Sequence, residues 1–139
     1  MRKIIRIKTT QQNELVDITG EVRSVVEDSG MQNGICALYA HGATAAIMIQ
    51  ENWDESVPRD VVDCLAKLVP EGVWLHDRQD DNGAAHIKAG LVGPSETIPI
   101  IDGSLGLSRW QGVFLCEFDG PREERTVYCT LLADPVDPA

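Results

Sequence analysis

The apolar positions of the chain fall into short runs with two different periods. Residues 2–9, RKIIRIKT, alternate apolar and polar side chains, the period of a half-buried strand. Residues 18–29 instead bring Ile18, Val22, Val25 and Val26 onto one helical face, with Gly30 placed to stop the helix. The runs 34–40, GICALYA, and 44–50, TAAIMIQ, are short and apolar; they predict two strands joined by a tight connection at His41-Gly42. A second helix is expected from Ser56, a candidate N-cap, with Pro58 just inside its start. Val61, Val62, Leu65, Leu68 and Val69 form its stripe, and Pro70 ends it. Residues 71–83 read as polar loop, and 84–92, AAHIKAGLV, as a short helix with Asn82 as its cap.

The last third has the period of strands throughout. ETIPII and SLGLSRW flank Asp102-Gly103, a strong two-residue hairpin signal, and Pro99 marks its strand as an edge or a bulge. WQGVFLCEF, a DGPREE turn and RTVYCTLLA add further strands. Strands interrupted by three helices predict one α+β domain over residues 1–139: antiparallel sheet layers with about three short helices packed on them. Residues 134–139 read as a loose polar tail.

Charge narrows the function classes. A formal net charge of −10 and a pI near 4.6 argue against nucleic acid and against an anionic membrane surface as partners. No run approaches the roughly 20 apolar residues of a membrane span, and the opening MRKIIRIKTT lacks the apolar stretch of a leader. The expectation is a cytoplasmic protein whose cysteines, Cys36, Cys64, Cys116 and Cys129, are reduced, buried, small hydrophobes.

The candidate chemistry clusters. His41, His76 and His86 are the only histidines, and Glu51, Asp54, Asp77, Asp80, Asp81 and Asn82 lie near them in sequence. A histidine in such company can move protons, ligate a metal with carboxylate support, or simply be a satisfied polar residue at the core's edge. The spacing matches neither a zincin nor a structural zinc site. Arg109, in LSRWQG, is either an exposed strand residue or an anion clamp; Trp110 is core, subunit interface or a stacking platform for a ligand ring. Glu117 sits mid-strand in LCEFDG, where burial is unfavourable without a partner, so it faces solvent or belongs to a site. No phosphate loop, dinucleotide fingerprint or Gly-x-Ser-x-Gly elbow is present.

Taken in order, several motifs resemble the YjbQ family, also called the secondary thiamine-phosphate synthase family, over roughly residues 3–133. They are the Thr44-Ala45 strand ending in Glu51-Asn52; Asp80-x-Asn82 before Ala85-His86-Ile87-Lys88; Gly93-x-Ser95 with Ile98-Pro99-Ile100; Gly103-x-Leu105 leading to Trp110-Gln111; and Glu117-Phe118-Asp119-Gly120-Pro121-Arg122. The resemblance implies a homotrimer with a cleft near a subunit boundary, lined by the His86 segment and the Trp110-Gln111 strand. It also implies a secondary ability to join a pyrimidine diphosphate to a thiazole phosphate with release of pyrophosphate. On this reading His86, Asp80 and Asn82 form the centre of a catalytic site, with His76 and Glu51 as further candidates. Ser95, Arg109, Trp110, Gln111, His41 and Lys88 are the candidates for binding a small-molecule ligand, and a divalent metal, Zn or Mg, would sit on His86 and His76. The alternative is a trimeric ligand- or metal-binding protein without turnover.

Three departures from the family pattern bear on the site. His41-Gly42-Ala43-Thr44-Ala45 replaces His-Thr-Thr-Ala, so that Gly42 rather than His41 can occupy the family's histidine position. Leu107-Ser108-Arg109-Trp110-Gln111 replaces Leu-Gly-Thr-Trp-Gln, setting a bulky cation beside the expected site, and Gln50 stands where Asn-Glu-Asn begins.

Overall fold

A computed structural model describes residues 1–135 of the protein. The elements are β1 (Arg2–Ile7), β2 (Glu14–Asp17), α1 (Thr19–Ser29), β3 (Gly34–Ala40), β4 (Ala45–Glu51), α2 (Ser56–Leu68), a short 3₁₀ turn (Leu75–Arg78), α3 (Gly83–Val92), β5 (Ser95–Ile101), β6 (Ser104–Leu105), β7 (Gln111–Glu117) and β8 (Arg125–Ala133). The strands form two sheets, ordered β1-β8-β3-β5-β6 and β2-β7-β4, and every pairing is antiparallel. This is the α+β domain expected from the pattern of strands and helices.

The sheets stack face to face, and the strand period shows which face is which. On β3, Gly34, Cys36, Leu38 and Ala40 are buried while Ile35 and Tyr39 are exposed. Their inward side chains meet Ile18, Val22 and Val26 at α1, Val127, Cys129 and Leu131 of β8, and Ile47, Val113 and Leu115 of the smaller sheet. The other face of the smaller sheet carries a second cluster, in which Ala46, Cys116 and Phe118 pack on Ala85 and Ala89 of α3. The order of layers is therefore large sheet, small sheet, then α2 and α3, with α1 packed into the core between the sheets. Strand β7 is the centre of the middle layer, which explains its unbroken apolar run: Val113 and Leu115 face one cluster, Cys116 and Phe118 the other.

Local chemistry sets the boundaries. Gly30 ends α1 in the left-handed region, φ 67°. Asp102 and Gly103 both take positive φ, 50° and 84°, as the expected hairpin requires. Its second strand is only Ser104–Leu105, because Gly106 turns its N–H back to the Pro99 carbonyl at 2.7 Å. Pro99 lies just past the β6 ladder, which pairs only Ile100 and Ile101, and it pairs with Ile35 of β3 on its other side. Two elements escaped the pattern, namely β2, too short to show alternation, and the Leu75–Arg78 turn inside the expected loop.

Two expectations need correction at α2. Ser56 is the first helical residue, not the cap; its N–H and hydroxyl both donate to Asp54 Oδ1, at 2.9 and 2.7 Å. Leu68 is exposed and the stripe residues Val61, Val62 and Leu65 are only half-buried, so α2 lies on the surface. Cys64 shares that position and is exposed, unlike Cys36, Cys116 and Cys129. In the expected tail, the Asp134 N–H bonds the Asn33 carbonyl at 3.0 Å, while residues 136–139 lie outside the described residues.

Candidate functional site

The site grows from the start of α3. Asp77, on the 3₁₀ turn, accepts the Trp74 N–H at 3.0 Å and the Gly83 N–H at 2.7 Å. Those two backbone donors hold its carboxyl below the usual carboxylate range. A side chain at Gly83 would meet Trp74 Cβ at 2.6 Å, so the turn and the helix fit together only around glycine. This clamp brings His76 against His86, edge to face, with ring centroids 4.6 Å apart and planes at 83°. His76 Nε2 lies 3.4 Å from Asp80 Oδ2 without forming a hydrogen bond, and it is buried with no partner. Asn82 donates through Nδ2 to Asp119 Oδ2 at 2.9 Å, yet its Oδ1 is buried and partnerless. Buried polar atoms normally find a partner, and among the described residues these two are the exceptions.

His86 also lines an open cleft of about 440 Å³, together with Tyr39, His41, Gly42, Ala43 and Pro94. His41 packs on Tyr128, centroids 5.2 Å apart. The three histidines thus form one series, His76 against His86 and His86 sharing a cleft with His41. Ser95 is exposed at the rim, paired with Tyr39 and next to Pro94.

Beside the cleft lies an ion pair that the sequence reading missed. Arg125 donates to Glu117 through Nε, at 3.0 and 3.1 Å, and through Nη2, which also reaches Thr44 Oγ1 at 2.8 Å. Thr9 Oγ1 and the Asp119 N–H complete the shell of Glu117, at 2.7 and 3.1 Å. Burial alone would raise the Glu117 carboxyl, but Arg125, Thr9 and the Asp119 N–H outweigh it and hold the group below its ordinary range. The signal for this pair was present: in RTVYCTLLA the phase that buries Val127, Cys129 and Leu131 also buries Arg125. Glu117 therefore does not face solvent.

Lys88, expected as a ligand contact, is 2% exposed and does not line the cleft. Its ammonium donates to Asn13 Oδ1 at 3.2 Å and lies 3.7 Å from Glu71. The remaining candidates gather elsewhere. Glu51 pairs with Gln111 across β4 and β7, whereas Ala45, beside the cleft, pairs with Glu117. The two ends of β4 are about 20 Å apart at the rise of a strand. Arg109 stands in the turn before β7, its guanidinium 4.7 Å from the Trp110 ring, and Trp53 packs on Trp110 at 5.5 Å. Trp110 is 42% exposed, so it is not core. Within one chain, then, the tryptophan group and the histidine cleft do not meet.

Metal and thiol chemistry find little support in these side chains. Among the described residues no three His, Cys, Asp or Glu side chains converge on one point, so the metal expected on His76 and His86 lacks a further donor. Cys116 is pushed up to about 12 by burial. Contact with Cys129 and burial likewise raise Cys36, so neither thiol is a ready nucleophile.

The model of YjbQ-like UPF0047 proteins matches residues 3–134. The chain belongs to this family. The UPF0047 protein MJ1081 of Methanocaldococcus jannaschii is 43% identical over 129 residues, covering 93% of this chain and 92% of its own. UPF0047 protein YugU of Bacillus subtilis is 38% identical, with 95% and 99% covered. The crystal structure of a YbjQ-like protein of unknown function from Sulfolobus solfataricus superposes with a TM-score of 0.92 at 36% identity, over 96% of this chain and 97% of that one. The UPF0047 fold is thus shared over nearly the full length. No described helix is long and apolar enough to cross a membrane.

Proposed function

We propose that this YjbQ-family chain is a small-molecule enzyme in which His86 is the acid/base group, working in the cleft it shares with His41. The observation that carries this reading is the pair of buried, partnerless atoms on residues that touch the His86 segment: His76 Nε2, whose ring packs on His86, and Asn82 Oδ1, on the residue whose backbone carbonyl accepts the His86 N–H. Polar atoms left in that state are commonly completed by a ligand or water. His76, edge-on to His86 and beside Asp80, orients the imidazole. Asn82 is held by Asp119 and keeps its second amide atom, Oδ1, without a partner.

The finer reading is the thiamine-phosphate synthase reaction implied by the resemblance. There the thiazole nitrogen bonds the pyrimidine methylene carbon as the carbon–oxygen bond to diphosphate breaks, and pyrophosphate leaves with the bonding electrons. The protein's part is to hold the two substrates in line and to place donors on the departing oxygens; an imidazole N–H of His86 is one such donor. A site that also includes Trp110, Gln111, Arg109 and Glu51 requires a second copy of the chain, because one chain holds these residues at the far end of β4 and β7. Such a composite site calls for an oligomer, and the homotrimer is the one the family resemblance implies.

The test is pyrophosphate release from the two thiamine precursors, read with wild type and with His86→Ala, alongside sedimentation. Release above background that is lost in the variant, from a particle three times 15.2 kDa, supports the reading. Ligand binding without release favours the non-catalytic trimeric binder, and a single-chain mass removes the composite site.

A further inference from the structure

The cleft is unusual in its charge. The chain carries 22 Asp and Glu residues, yet no carboxylate lines this cleft, while two imidazoles do. Arg125 does not itself line the cleft, but its guanidinium stands directly behind the wall at Gly42. Of the Arg125 donors, Nε is committed to Glu117 and Nη2 to Glu117 and Thr44. Nη1 has no protein acceptor among the described residues, although Arg125 is only 7% exposed. It is not one of the buried partnerless atoms, which among the described residues are His76 Nε2 and Asn82 Oδ1, so it keeps a small solvent access.

Gly42 explains how Nη1 is reached. A Cβ at this position would stand 2.9 Å from Nη1, and it would meet nothing else that closely. Gly42 is not in the left-handed region, so its backbone does not demand glycine; the space over Nη1 does. Position 42 is also where the chain departs from His-Thr-Thr-Ala.

From this we infer an oxyanion subsite in the cleft, with Arg125 Nη1 as its fixed donor beneath Gly42 and His41 as the second donor at its edge. It takes the phosphate or carboxylate group of a small molecule. The guanidinium is immobilised and desolvated in advance by Glu117 and Thr44, so little ordering is lost when the anion arrives. Because Glu117 balances its charge, the subsite offers directed N–H groups more than net attraction. It rests on the proposed use of the cleft, and assigns the substrate's anionic group to this wall rather than to Arg109.

The test is titration of the full chain with inorganic phosphate and, separately, with acetate at constant ionic strength, followed by amide and arginine Nε–H NMR. Saturable shifts confined to Gly42, His41 and Arg125 are expected, with the stronger of the two probes naming the ligand group. Gly42→Ala should weaken that binding by about tenfold, and His41→Ala, which leaves the Arg125–Glu117 pair untouched, should weaken it less. Absence of saturable shifts, or wild-type affinity in both variants, overturns the subsite. His86→Ala separates the two ideas: phosphate binding kept while turnover is lost upholds both. Turnover in wild type without anion binding sinks only the subsite, and anion binding without turnover in wild type sinks only the enzyme reading.

Discussion

The two ends of strands β4 and β7 are built differently. At the end holding Ala45 and Glu117, nearly every polar group is fixed by a named partner: Glu117 by Arg125, Thr9 and the Asp119 N–H, Asn82 by Asp119, Gly83 by Asp77. At the end holding Glu51 and Gln111, large aromatic surface is left in solvent, with Trp53 76% and Trp110 42% exposed. They are held by ring contacts and by Arg109 stacked over Trp110. The first end is a preorganised polar scaffold with only His76 Nε2, Asn82 Oδ1 and Arg125 Nη1 left open. The second has the composition of a contact surface, aromatic with an arginine beside it. Preorganised chemistry and adhesive surface thus occupy opposite poles of one sheet.

Breaking the first pole should cost the most. Glu117→Gln leaves the Arg125 guanidinium buried without its counter-charge, and a loss of about 3–5 kcal/mol is expected in chemical denaturation. A loss below about 1 kcal/mol would mean that Thr44 and water suffice for Arg125. Gly83→Ala forces a methyl into Trp74 and should cost about 1–3 kcal/mol, with heightened hydrogen exchange at the start of α3. Asp77 gives a pH signature. Its carboxyl titrates lower in the folded chain than in the unfolded one, so its contribution is present above the ordinary aspartate value of about 3.9. It is lost as pH falls through the folded value. Asp77→Asn should therefore flatten the acid limb of the stability profile and leave α3 looser at neutral pH. At the second pole, Trp53→Ala should change the stability of the single chain by no more than about 0.5 kcal/mol. Dissociation of an oligomer by that same change, seen in sedimentation, would identify the aromatic pole as the subunit contact; an unaltered mass would leave it a free surface.

These poles differed in legibility as well. The helix carrying His86 was legible, because 84–92 has a helical pattern, but the contact of His76 with His86 was not, because the 3₁₀ turn that makes it lies inside what reads as polar loop. Strand phase was equally informative: β8 matched RTVYCTLLA residue for residue, and its phase carried Arg125 inward. Less legible was anything set by layer order. That His41 shares a cleft with His86 depends on α3 packing across β4, and no spacing encodes it. Lys88 misled because its ammonium turns back to Asn13 and Glu71. A motif residue of the right charge was expected as a ligand contact, whereas in the chain its ammonium is buried against Asn13 and Glu71. The exposure of α2 was hidden for the opposite reason, since an amphipathic stripe looks the same whether or not another surface covers it.

Strand β7 has a consequence for how such a chain can change over time. Most strands keep one face where substitutions are nearly silent, but β7 from Gly112 to Glu117 has none. Any altered side chain there presses on the two-sheet core or on the layer carrying α3, and so shifts the wall on which His86 stands. Tolerance and specificity are therefore linked along this strand. Variation that retunes the cleft without contacting a ligand is expected at its helix-facing Cys116 and at Phe118 just past its end, and a mutational scan scored separately for folding and for binding would find the two scores diverging there.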